Sequence, residues 1–109
     1  MLVTLLKSKI HRAKVTDSNL EYEGSIFIDQ NILKKANILP YEKVEIYNVN
    51  NGLRFSTYAV PVEQENSFCL NGAAARLVQK GDLIIICTFA SMQEKEAIDF
   101  KPTVILCEN

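Results

Sequence analysis

Within the stretch LEYEGSIFID, a glycine and a serine, Gly24 and Ser25, stand between two runs that both read as strand. A serine hydroxyl lies beside the carbonyl of the residue before it. If the backbone bends, that oxygen can attack the Gly24 carbonyl, move the acyl group from nitrogen to oxygen and turn the peptide into an ester. Elimination on the serine side then breaks the chain and leaves dehydroalanine, which hydrolyses to a pyruvoyl group. Glycine suits the upstream position because it has no Cβ, tolerates unusual φ and ψ, and lets a hydroxyl approach its carbonyl. The attack also needs a hydrogen-bond donor for the developing oxyanion. An ordinary turn uses the same two residues, so the pair alone leaves both readings open.

Other residues with chemical capacity fall on recognisable faces. In LRFSTYAV, alternation puts Arg54, Ser56 and Tyr58 on one side and Phe55, Thr57 and Ala59 on the other. Near the N-terminus the same rule groups Lys9, His11, Ala13 and Val15 against Ile10, Arg12, Lys14 and Thr16. The run NGAAA, Asn71 to Ala75, offers a turn whose backbone N–H groups can hold an anion beside small side chains. It also reads as a helix start capped by Asn71. No metal site is expected, because His11 is the single histidine and Cys69, Cys87 and Cys107 are widely spaced and odd in number. They read as reduced thiols of a cytoplasmic protein.

These residues must be positioned by a small frame. The chain has 109 residues, one domain's worth, and 48% of them are apolar, enough for a packed interior. Twelve Lys and Arg against thirteen Asp and Glu give a net charge of −1, which argues against the concentrated positive field of a nucleic-acid binder. No run approaches a membrane span, and the N-terminus lacks the pattern of a signal peptide.

The elements follow from period and punctuation. Residues 1–16 read as extended, DSN as a turn and IFI as a short strand. Asp29 is expected to cap a helix over QNILKKANI, with Ile32, Leu33 and Ala36 as its apolar stripe and Pro40 beyond its end. EKVEIYNV and LRFSTYAV flank an Asn-Gly turn and predict a hairpin. SFCL and TVILC read as strands, LIIICTF as a strand buried on both sides, and SMQEKEAID as one or two amphipathic turns. Many short strands with one or two short helices predict a mainly all-β fold, a small closed barrel with helical plugs.

Taken in order, KIHRAKVT, LEYEGSIFIDQ, VEIYNVNNGLRFSTYAV, LNGAAA and GDLIIICTF span nearly the whole chain, and in combination they resemble the pyruvoyl-dependent aspartate α-decarboxylase family. The resemblance implies a six-stranded double-ψ β-barrel assembled as a homotetramer. It implies self-cleavage into 1–24 (β chain) and 25–109 (α chain), with Ser25 both nucleophile and source of the covalent pyruvoyl group. It implies decarboxylation of L-aspartate to β-alanine through a Schiff base, supplying pantothenate biosynthesis in the cytoplasm, with no metal, nucleic acid or membrane involved. Tyr58 then corresponds to the proton donor, and Thr57 to a hydroxyl that stabilises the oxyanion during cleavage and contacts substrate. Arg54, Lys9 and His11 correspond to the positive side of the pocket. The resemblance also implies that Asn71 lies near the pyruvoyl group and that Gly72, Ala73 and Ala74 contact substrate. Thr57 and Tyr58 point to opposite faces of a regular strand; a bulge near Thr57, or a site built from two subunits, reconciles them. Tyr47 stands where relatives often carry tryptophan. An accessory protein for maturation is left open. So are an unprocessed precursor, a binding module on the same barrel that never matures, and a DNA-binding or assembly protein, against which the near-neutral charge weighs.

Overall fold

A computed structural model describes residues 1–107. The extended N-terminal run forms β1 (Leu2–Lys14), which continues through Val15 and Thr16 into the short β2 (Asp17–Asn19). The expected turn at DSN is therefore a strand. It pairs in parallel with β6 (Phe68–Asn71), because Thr16 has already been tied there: its N–H donates to the Phe68 carbonyl at 2.8 Å and its Oγ1 accepts from the Phe68 N–H at 2.9 Å. Between these lie β3 (Ser25–Asp29), α1 (Gln30–Ala36), β4 (Lys43–Asn48) and β5 (Arg54–Val62). A 3₁₀ segment, Gly72–Leu77, leads to β7 (Leu83–Gln93), α2 (Glu94–Ala97) and β8 (Thr103–Leu106).

The hydrogen-bonded order is β2-β6-β3-β5-β4-β7-β1-β8. Six strands, from β6 to β1, make the body, and β1 runs on into β2 on the far side of β6, so the sheet meets itself. The short β8 adds to β1 in parallel. The result is the mainly β, barrel-like fold that was expected. Ile10, Ile26, Ile28, Val44, Ile46, Leu70, Ile84 and Ile86 fill its interior and are fully buried. Each stabilises the barrel by about 2 kcal/mol of removed apolar surface.

Three local features position the site. Helix α1 is capped as expected, Asp29 Oδ1 accepting from the Asn31 N–H at 2.8 Å, and it ends at Asn37 in the left-handed region, φ 60°. The hairpin between β4 and β5 closes on Gly52, φ 76°. In β1 strict alternation fails. The register with β7 slips between Ile10 and Ala13, where Arg12 has φ 62°. That bulge turns Ile10, Ala13 and Val15 all inward, so Ala13 and Val15 do not share the face of Lys9 and His11 as the sequence period predicts. In β7 the apolar run also shows a bias: Ile84, Ile86 and Thr88 enter the core, while Ile85 and Cys87 lie on the other face under neighbouring side chains.

Candidate active site

Ser25 opens β3 and is paired across the sheet with Asn71, the last residue of β6. Both face away from the core residues Ile26 and Leu70, yet Ser25 is only 4% exposed and Asn71 is fully buried. Asn71 caps nothing: the 3₁₀ segment that follows has no side-chain cap bond. Its Nδ2 donates instead to Ser25 Oγ at 3.1 Å, and Ser25 Oγ donates to the Glu23 carbonyl at 3.4 Å. The helix-cap reading of Asn71 thus gives way to a direct contact with the serine.

The glycine with no room for a side chain is not Gly24 but Gly72. A Cβ on Gly72 would lie 2.7 Å from the Gly24 Cα and N and 2.9 Å from the Tyr22 carbonyl, at a φ of 66°. A Cβ on Gly24 would meet only the Asn71 carbonyl at 3.9 Å, an ordinary contact. Gly72 therefore lets the Tyr22–Gly24 backbone lie flat against the start of the 3₁₀ segment. Of the alanines that follow, Ala73 is exposed and Ala74 packs into the core.

β5 changes partner at the level of this site. Arg54 to Tyr58 pair with β4, and Ala59 to Val62 pair with β3, starting opposite Ile26. Ser25 and Tyr58 are the residues just before the first pair of that ladder, Ile26 and Ala59, and so lie at the same level. Ile26 and Ala59 both enter the core, so Ser25 and Tyr58 share the outer face. Tyr58 is 36% exposed and its ring lies 6.3 Å from that of Tyr41. Thr57 is on the opposite, inward-facing side, and its register opposite Val44 runs unbroken. The strand holds no bulge near Thr57, which removes one of the two ways of bringing it to the site.

A second cluster lies further along the same outer face. Lys9, Cys87, Glu45 and Ser56 stand side by side across β1, β7, β4 and β5. Next to that row, the Arg54 guanidinium sits 4.3 Å above the centre of the Tyr47 ring. The Tyr47 ring thus packs face-on against Arg54. Burial raises the Tyr47 phenol above its usual range, helped by Cys87 and Glu45 and opposed by Arg54. Burial also raises the Cys87 thiol, while Lys9 and Arg54 pull it down and Glu45 pushes it up. Lys9 and Arg54 therefore act electrostatically on one spot, with the Glu45 carboxylate between them.

His11 is half-buried on β1 opposite Leu106, and its Nδ1 is buried without a hydrogen-bond partner among the described residues. Among those residues no three His, Cys, Asp or Glu side chains converge, and no helix is long and apolar enough to cross a membrane.

The structure thus joins Ser25, Asn71, Gly24, Gly72 and the level of Tyr58 in one place, and Lys9, Arg54 and Tyr47 in another. It leaves Thr57 facing inward. Sequence reasoning missed Glu45, which alternation on EKVEIYNV places on the face of Tyr47, and Cys69, two residues before Asn71 on the same strand face. The period-2 signal was present for both.

Comparison with known proteins gives the chain's family. Residues 1–109 match the family described as "Aspartate decarboxylase". The chain is 54% identical over 108 residues to the "Aspartate 1-decarboxylase" of Campylobacter jejuni subsp. jejuni serotype O:23/36 (strain 81-176), spanning 99% of this chain and 86% of that one. It is 56% identical over 110 residues to the protein of the same name from Clostridium botulinum (strain 657 / Type Ba4), spanning 100% and 87%. A likeness that covers the whole barrel and both clusters settles the kinship: the chain belongs to the aspartate decarboxylase family.

Proposed function

We propose that this protein converts L-aspartate to β-alanine and CO2, using a pyruvoyl group that it makes from Ser25 by cutting its own Gly24–Ser25 bond. One observation carries the reading: a buried serine hydroxyl, 3.1 Å from the Asn71 amide, immediately follows a glycine pressed against Gly72. Nearly all polar groups so placed are there to be hydrogen-bonded. Here the donor aims at a serine hydroxyl that directly follows the Gly24 carbonyl it would attack.

The residues present fit a pyruvoyl group. Without a Cβ, Gly72 admits the Gly24 backbone beside Ser25, and the Asn71 amide donates to Ser25 Oγ, the oxygen that would depart with the Gly24 acyl group as the ketone forms at the Ser25 Cα. When present, that ketone supplies the electron sink that loss of an α-carboxylate requires. The chain's own groups do the rest. Arg54 and Lys9 hold the substrate's carboxylates, the guanidinium fork through paired hydrogen bonds. Tyr58 holds a phenolic proton at the level of Ser25 and delivers it to the substrate carbon that has lost CO2. His11 offers a buried Nδ1 with hydrogen-bonding capacity to spare.

The reading extends to a homotetramer of the cytoplasm that supplies pantothenate synthesis. What supports assembly is spacing. Along β5, Arg54 lies four residues from Tyr58, roughly 13 Å of extended chain, and Thr57 faces inward. A site completed by a second copy reconciles both.

Denaturing mass spectrometry of aged protein tests the core of this reading. Two fragments split between residues 24 and 25, together with CO2 release from L-aspartate, are expected. An intact chain that releases none overturns it. Light scattering tests the assembly; a monomer with full activity would remove the shared site.

A further inference from the structure

We infer that Cys69 is a positioning residue for self-cleavage: its thiol, at the far end of the Asn71 side chain, holds that amide with its N–H aimed at Ser25 Oγ. The inference rests on the reading of Ser25 as the nucleophile.

β6 and β3 run antiparallel, with Cys69 opposite Phe27 and Asn71 opposite Ser25. Alternation therefore puts Cys69, Asn71, Phe27 and Ser25 on one face. On that face three hydrogen bonds run in one direction. Cys69 Sγ donates to Asn71 Oδ1 at 3.3 Å, Asn71 Nδ2 donates to Ser25 Oγ at 3.1 Å, and Ser25 Oγ donates to the Glu23 carbonyl at 3.4 Å. The two ends of a carboxamide have nearly the same shape but opposite hydrogen-bonding character. With its hydrogen given to the Glu23 carbonyl, Ser25 Oγ offers Asn71 only lone pairs and so meets the N–H end, while the Cys69 thiol supplies the hydrogen that the Oδ1 end needs.

A flipped Asn71 would present Oδ1 to Ser25. The serine would then donate to Asn71 rather than to the Glu23 carbonyl, and its hydrogen would turn from the cleavage turn toward β6. Asn71 would also have no N–H to offer the serine-derived oxygen. The thiol is suited to its place: burial raises its pKa, as does the Asp17 charge, so it keeps its proton as a donor. Its outer side borders a cleft of about 440 Å³ lined also by Asp17, Tyr22, Phe27 and Lys80, so a modestly larger side chain has space there.

Two substitutions separate this role from mere packing. Cys69→Ser keeps a donor; Cys69→Val keeps apolar bulk and strand preference but removes the donor. The rate of conversion of freshly purified chain into fragments 1–24 and 25–109 is followed by mass spectrometry, beside the melting temperature. Cys69→Val is expected to cleave roughly fivefold more slowly, the size of one net hydrogen bond, and Cys69→Ser at about the rate of the unaltered protein. If Cys69→Val cleaves at the unaltered rate, or the two variants slow equally, the inference falls. The Asn71 side-chain amide, observed by NMR in uncleaved chain, gives a second reading that does not depend on cleavage. Its protons are expected to exchange with water faster in Cys69→Val and unchanged in Cys69→Ser; no difference between the variants overturns the relay. If the unaltered chain never cleaves, the proposed function fails, while the amide measurement still decides the relay.

Discussion

Around Ser25 the polar groups are buried and hydrogen-bonded to one another, and they come from two adjacent strands and the turn between Tyr22 and Gly24. Around Arg54 they are charged and only partly covered, and they are spread over β1, β4, β5 and β7. The first cluster works by geometry: one amide, one hydroxyl and a glycine with no room for a methyl. The second works by field: Lys9 and Arg54 converge with Glu45 between them. On the proposed reading, making the reactive group and holding the substrate would place different demands on the fold. Bond cleavage needs a rigid, dry corner of one chain. Dicarboxylate binding needs cations that stay solvated until the ligand arrives.

If the two regions divide labour in this way, substitutions should divide too. Ser25→Ala is expected to remain one piece and to release no CO2, and cleavage persisting in it would remove the nucleophile. Tyr58→Phe should cleave normally but turn over on the order of a hundredfold more slowly; full decarboxylation by that variant would take the proton from another source. Arg54→Ala should also cleave normally and raise the KM for aspartate by about tenfold to a hundredfold, the range of charge-assisted hydrogen bonds. A defect confined to cleavage would place Arg54 with the wrong cluster. Gly72→Ala should slow cleavage by about tenfold, because backbone strain of this kind costs about 1–3 kcal/mol. Gly72→Ala should also lower the melting temperature of the uncut chain, whereas Gly24→Ala should leave it nearly unchanged; the reverse ranking would contradict the observed contact.

The smallest effect expected lies outside both regions. Asp29 is held below the usual carboxylate value of 3.8, chiefly by the Asn66 N–H and also by the Asn31 N–H, with burial opposing. Its carboxylate accepts from those two groups at 2.8 Å each. A depressed carboxyl stabilises the fold above its unfolded pKa, and that contribution is lost as pH falls through the lower folded value. Asp29→Asn should therefore cost about 2 kcal/mol near neutrality, with the difference from the unaltered protein shrinking below about pH 3.8. Chemical denaturation at two pH values measures it. Activity should be untouched at temperatures where both proteins are folded.

Much of this architecture was legible because its signals are local. Asp29 before an apolar stripe and an Asn-Gly pair between alternating runs each specify their structure within a few residues, and both appear as expected. Period-2 alternation in β5 correctly set Tyr58 and Thr57 on opposite faces. The misreadings share one cause, a long-range partner that outbid the local rule. Asn71 looks like a cap until Ser25, 46 residues away, takes its amide. DSN looks like a turn until β6 offers a ladder. Residues 9–15 look regularly alternating until pairing with β7 inserts a bulge at Arg12.

By itself the sequence determined the β-rich barrel, the Gly24–Ser25 bond and the residue types able to bind a dicarboxylate, since periodicity, capping and side-chain chemistry are written within short spans. The tertiary structure alone decided that Gly72 is the glycine that cannot carry a side chain, that Asn71 serves Ser25, and that Thr57 faces away from it. Those outcomes depend on which strands become neighbours and in what register, and sheet pairing sets both across distances no local pattern encodes.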